Sequence, residues 1–186
     1  MNHETKPDMG AGAGLDAGAG MSFGSGPRHH YEVECYGADG ALKWRDGFDN
    51  LVTTAGKNKY LDATLKTGLA APAWYVGLVL GPGETDYAAG DTMGSHAGWS
   101  ESSTYSQANR PAFTPGTISS GSVDNSASKA VFSINGTVTI SGAFMVDENT
   151  KGGTSGTLLG VGAFTGGDRS VISGDTLNVT ITCTQA

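Results

Sequence analysis

The chain has 186 residues, a formal charge of −7, 16% charged side chains and 30 glycines. Charged content is well below the usual quarter and glycine about double its ordinary share, a balance suited to an all-β shell or fibre protein. Scattered cations, with Lys57 and Lys59 the nearest to a pair, argue against a direct nucleic-acid ligand, and no apolar run is long enough to cross a membrane as a helix.

Residues 1–30 form a unit of their own. Glycine stands at positions 10, 12, 14, 18, 20, 24 and 26, and the large apolar side chains are Met1, Met9, Leu15, Met21 and Phe23. Such a segment cannot by itself bury enough apolar area to offset the entropy of ordering it. It lacks a continuous apolar stretch, so it is not expected to be a secretory signal. Two readings stay open: an undirected tail, or an extended strap lying along a neighbouring subunit. In the second, Met9, Leu15, Met21 and Phe23 are widely spaced anchors, and glycine permits close backbone approach.

Residues 31–186 read as one folded domain. His30–Tyr36 alternates Tyr31, Val33 and Cys35 with Glu32 and Glu34, a half-buried strand. Gly37–Gly40 makes a turn and Ala41–Arg45 returns as a hairpin arm. A helix is expected over Thr54–Thr67, capped by Thr53 or Thr54, with Tyr60, Leu61 and Leu65 on one face and Gly68 as a left-handed stop. Ala73–Leu80 is nearly all apolar, the best candidate for a strand covered on both sides, and Gly81-Pro82-Gly83 ends it. Glu84–Arg110 reads as a long ordered loop or pair of short turns carrying Tyr87, Trp99 and Tyr105.

The last third is strand-like throughout. Lys129–Asn135 places Phe132 and Ile134 on one face, and Thr137–Val146 places Val138, Ile140, Gly142, Phe144 and Val146 on one face. Thr157–Phe164 is a glycine-broken strand, and Thr176–Cys183 alternates Leu177, Val179, Ile181 and Cys183 with polar residues. Asn135-Gly136 and Ser173-Gly174-Asp175 are turn signals. The expected fold is all-β: a β-sandwich or jelly-roll-like domain with one short α-helix and an extended N-terminal arm.

No catalytic, cofactor-binding or metal site is expected. Asp91, Ser95 and His96 contain the residue types of a hydrolytic triad, but no Gly-x-Ser-x-Gly elbow presents the serine. The histidines are His3, His29, His30 and His96, without metal-ligand spacing on a predicted element. Asp147-Glu148-Asn149 lacks the spaced ligands of a calcium loop and reads as a solvated hairpin tip. Cys35 and Cys183 read as two buried free thiols, with a disulfide between terminal strands as the alternative. Two sequons, at Asn135 and Asn178, are assigned no function without a secretory signal. Trp74 and Tyr75 belong to core or interface. Trp74, Tyr75, Trp99 and Tyr105 offer stacking faces for a sugar, and Trp99, in a polar loop after Gly98, is the better anchor at a protein interface. Tyr105 joins it as an interface candidate. Arg110 is placed to pin the loop through an ion pair with Asp91 or Glu101, or else to be an exposed arginine.

A resemblance then emerges. The run Trp74-Tyr75-Val76-Gly77-Leu78, the stretch Asp91-Thr92-Met93-Gly94-Ser95-His96-Ala97-Gly98-Trp99-Ser100-Glu101, Tyr105 and Asn109-Arg110-Pro111 resemble small virion proteins of tailed bacteriophages. The likeness continues through Asp124-Asn125-Ser126-Ala127, Phe132–Asn135, Gly142-Ala143-Phe144, Lys151-Gly152-Gly153-Thr154 and Gly174–Val179, and covers roughly residues 31–186. It implies a non-enzymatic virion part, assembled in the bacterial cytoplasm. Among such parts a capsid decoration or cement protein on the outer shell is favoured. Its partners would be the major capsid protein and further copies of itself, as a dimer or trimer. A tail, neck or head-fibre component, or a receptor- or glycan-binding module, is the alternative. The arm lies outside the shared pattern.

Overall fold

The computed structural model describes residues 26–83 and 86–185. Met9, Leu15, Met21 and Phe23 therefore lie outside the described residues.

Strand β1 (Pro27–Tyr36) buries His29, Tyr31, Val33 and Cys35 on one face. It begins at Pro27 because His29 continues the alternation of Tyr31 and is only 1% exposed. Residues 27–30 thus belong to the sheet, and the boundary expected at residue 30 moves back. The Gly37–Gly40 turn leads into β2 (Leu42–Asp49), which runs further than the expected hairpin arm. After β3 (Leu51–Val52) comes helix α1 (Thr54–Leu65), capped by Thr53, whose hydroxyl accepts from Gly56 N–H at 2.9 Å. The helix stops before Gly68, which takes its positive φ of 81° in the turn beyond.

Of the face expected for α1, Tyr60 packs against the core, and the two leucines are corrected. Gly56 is its buried residue, while Leu61 and Leu65 are 57% and 76% exposed. A β-carbon at Gly56 would overlap the backbone of Leu159, so the helix seats through its bare first turn rather than through its leucines.

The strands that follow are β4 (Trp74–Gly81), β5 (Glu101–Ser102), β6 (Ala112–Phe113), β7 (Ser122–Asp124), β8 (Ala130–Ser133), β9 (Val138–Val146), β10 (Leu158–Ala163), β11 (Arg169–Val171) and β12 (Thr176–Gln185). They form two antiparallel sheets. In the first, β1 lies between β2 and β12, and the far edge of β12 is shared by β7 and β8. In the second the order is β3-β10-β9-β4, with β11 beside β9, and β5 and β6 along the outer edge of β4. The first and last strands run side by side from Pro27 opposite Gln185 to Tyr36 opposite Thr176. The all-β sandwich read from the sequence is the observed architecture.

One core lies between the sheets, with Tyr31, Val33, Phe132, Leu177 and Ile181 from the first meeting Val76, Leu78, Ile140, Met145 and Leu159 from the second. A second apolar cluster covers the outer face of the second sheet: Val79, Phe144, Val146, Leu158 and Val161, roofed by Met93 and Trp99 from the long loop. Covering on both faces explains the nearly unbroken apolar run of β4.

The single face expected for residues 138–146 is corrected by a bulge. Gly142 sits opposite Val79 and Ile140 opposite Leu80, so Ser141 is an extra residue. The alternation therefore changes phase: Val138 and Ile140 share the inner core with Ala143 and Met145, whereas Phe144 and Val146 point to the outer cluster. Gly77 leaves room for the Phe144 ring, which a β-carbon there would overlap.

Candidate binding groove

The long loop carries the expected partner residues Trp99, Tyr105 and Arg110, and the structure turns all three inward. Arg110, 2% exposed, donates from Nε and Nη2 to the two oxygens of Glu101 at 2.9 and 2.7 Å. It also donates from Nη1 to Glu148 O and from Nη2 to Gly153 O, both at 2.8 Å. A planar fork with several donors suits this arrangement, one carboxylate on one side and two turn carbonyls on the others. Arg110 therefore pins the loop through Glu101. Asp91 instead accepts from Trp99 Nε1 at 3.0 Å and from Ala88 N–H.

Trp99 is 6% exposed, stacked on His96 with centroids 4.0 Å apart and packed against Phe144. His96 Nδ1 lies 2.9 Å from Trp99 O. Asp91 and His96, two members of the imagined triad, are thus fixings for one tryptophan. Tyr105 is wholly buried, edge-on to Phe132, and Lys151 sits over its ring while donating to the carbonyls of Tyr105 and Gln107. Burial, followed by the nearby Glu101, pushes the Tyr105 hydroxyl above the ordinary phenol range. With so little of these side chains exposed, the expectation that they form a partner interface is corrected.

The remaining sequence candidates are also engaged internally. Asp147 accepts from Thr157 N–H and pairs with Lys59 at 3.2 Å, and Glu148 accepts from Thr150. Among the described residues no group of three or more His, Cys, Asp or Glu is arranged to hold a metal ion. Cys35 and Cys183 are free thiols; Cys35 is buried as expected, whereas Cys183 is only half-buried. Cys35 is opposite Leu177 in the β1–β12 ladder, six residues from Cys183, which puts roughly 20 Å between the two and rules out a bond.

An apolar groove that sequence reasoning missed opens at the end of the sandwich where β1 begins and β12 ends. Its volume is about 480 Å³. Tyr60, Leu61 and Thr64 of α1 form one wall; Trp74 and Phe113 form another. Met145, Leu159 and Cys183 close the bottom, and Ile118, Val123 and the end of β12 complete the rim. Among the described residues no charged side chain lines it. Leu61 and Ile118, the latter 75% exposed, stand at the lip. The size is that of sites that take a small ligand or a few side chains.

The groove wall is tied to the sheet by a buried histidine. His29 Nε2 is 2.8 Å from Tyr60 Oη, and the Asn50 side-chain amide lies 3.2 Å from Nδ1. An amide NH₂ is a donor, so Nδ1 accepts and the ring proton sits on Nε2, given to Tyr60. Desolvation by burial lowers the His29 pKa to about 4, so the ring is neutral near pH 7. In sequence His29 counted only as part of the arm. Its alternation with Tyr31 was the available signal.

No family model and no curated protein matches the chain.

Proposed function

We propose that the chain is a non-enzymatic virion protein of a tailed bacteriophage, a capsid decoration or cement protein that binds the outer face of the major capsid lattice and stabilises it. The observation that carries this reading is where the phage-like motifs fall. They coincide with the residues that fasten loops to the sandwich. Arg110 binds Glu101 and Gly153; Trp99 binds Asp91. Asn125 donates to Val179 O at 3.2 Å and accepts from Ile181 N–H at 2.7 Å. A pattern made of fastenings supports a structural role, whereas an enzyme's pattern would centre on free nucleophiles and bases in a cleft. The acidic, lysine-poor composition suits a surface facing the medium.

A receptor- or glycan-binding module needs an exposed aromatic platform, and Trp99 is only 6% exposed, packed on His96 and Phe144. Copy number separates the remaining alternatives. Virions of the phage that encodes the chain, quantified by gel densitometry and imaged at low resolution, should carry it on the outer shell in fixed ratio to the major capsid protein. A few copies at the tail, neck or a head fibre would replace this reading with the alternative. Absence from the virion would overturn both. Removing residues 1–25, which leaves β1 whole, should lower occupancy on the shell, because arm and domain then no longer bind adjacent sites together. Unchanged occupancy would remove the strap.

A further inference from the structure

We propose that the apolar groove is the seat of the chain's own N-terminal segment, with Met21 and Phe23 as the side chains that fill it. Three observations converge on this occupant, and none depends on what the rest of the arm binds.

The first is position. Pro27, where β1 begins, is the ladder partner of Gln185, and Gln185 lines the groove. The chain running back from Pro27 therefore leaves the domain at the lip of the groove. Phe23 is four residues from Pro27 and Met21 six, so extended chain lets them reach at most about 14 and 21 Å respectively.

The second is the local sequence, Met21-Ser22-Phe23-Gly24-Ser25-Gly26. Met21 and Phe23 are two apart, so an extended backbone puts both on one face. Gly-Ser-Gly between them and the strand is the kind of sequence that lets a chain double back. Methionine adapts its shape to an irregular cavity, and phenylalanine supplies a large apolar face.

The third is chemical match. Among the described residues the groove has no charged lining residue, and residues 17–26 contain no ionisable side chain. The apolar lip formed by Leu61 and Ile118 would be covered by Met21 and Phe23. The short tether raises the local concentration of Met21 and Phe23 to the millimolar range or above, so even a modest intrinsic affinity suffices. An arm rooted in this way would project Met9 and Leu15 outward from a fixed point on the domain.

Cys183 in the groove floor supplies the test. In the full chain, its alkylation by a small maleimide, read by peptide mass mapping, should be at least ten times slower than in the M21S/F23S double variant or in the chain lacking residues 1–25. Equal rates in all three would overturn the proposal. The single variant F23C, oxidised in dilute solution, should give an intramolecular disulfide to Cys183. A disulfide only between chains would overturn the own-chain assignment and place the segment in a second copy's groove. Urea unfolding of each variant keeps the reading clean, since the double variant and the truncated chain must stay folded for a faster rate to count.

Discussion

Two regions beside the strands of the sandwich contrast, one covered and one open. The loop from residue 86 to 110 lies over the outer face of the second sheet and is closed: Trp99 and Met93 are buried in an apolar cluster, and their polar neighbours bind one another. The groove at the sandwich end is open, apolar and uncharged, with Leu61 and Ile118 exposed at its lip. Aromatic residues in a polar loop looked like contacts for a partner. Each has an internal address instead. The open groove has aromatic walls from Tyr60, Trp74 and Phe113 and an aliphatic lip from Leu61 and Ile118.

The strongest way to break this contrast is to open the closed region. Arg110→Ala would leave Glu101, whose side chain is 7% exposed, as a buried carboxylate without its cation, and two turn carbonyls without a donor. Removing one partner of a buried ion pair costs about 3–5 kcal/mol. The expected result is that loss in urea unfolding, with protease cleavage appearing between residues 86 and 110. A loss under about 1 kcal/mol would mean that the apolar cluster alone holds the loop.

Acid should loosen the groove wall next. His29 has a folded pKa of about 4 against an ordinary value of 6.5. Above pH 6.5 both folded and unfolded forms are neutral, and the contribution is complete. Between 6.5 and 4 only the unfolded chain takes up the proton, so stability falls as pH falls, by about 3 kcal/mol in total; below 4 the loss stops growing. Asp46 and Asp175 act in the same direction at lower pH. Burial opposes their ionisation, but hydrogen bonds outweigh it: Arg169 and Thr165 hold Asp46, and Lys43 holds Asp175, below the usual carboxylate range. His29→Gln should flatten the curve between pH 6.5 and 4. If the slope there survives the substitution, His29 is not its source.

Gly77→Ala probes the seam between the two faces of the second sheet. The added methyl meets the Phe144 ring, which is packed beneath Trp99, and overpacking of this kind costs about 1–3 kcal/mol. The Trp99 fluorescence should shift with it. An unchanged melting temperature would show that Phe144 has room to turn aside.

Period-two alternation was enough to read β1, β8 and β12, because each meets its neighbours in an unbroken register wherever its buried residues repeat. It failed at β9, where Ser141 inserts one residue and reverses every side chain after it; nothing in Ile140-Ser141-Gly142 announces a bulge. The short strands β5, β6 and β7 owe their pairing to β4 and β12 rather than to any local pattern. For the site, the Arg110–Glu101 pair was legible from charge and proximity in sequence. The burial of Trp99 was not, since its neighbours Phe144 and Met93 come from a distant strand and from a loop whose course the sequence leaves open. The groove was illegible for a related reason. Leucines at helical spacing predict a buried face, and the contacts of Gly56 with the Leu159 backbone and of Tyr60 with the core show that α1 docks on the side those two share.

The smallest expected effect is also the one that sharpens the contrast most. Leu61→Ser and Ile118→Ser remove apolar area that is already mostly in water, so in the chain lacking residues 1–25 each should change stability by no more than about 0.5 kcal/mol. In the full chain the same substitutions should cost more if Met21 and Phe23 cover the lip, because they then remove a buried contact. The difference between the two backgrounds is a coupling energy, on the order of 0.5–3 kcal/mol for residues in contact. Measured by urea unfolding in both chains, a coupling near zero would leave the groove open to solvent in the isolated protein. A positive one would place the arm over it, and the loop and the chain's own N-terminus would then each cover an apolar surface that the strands leave open.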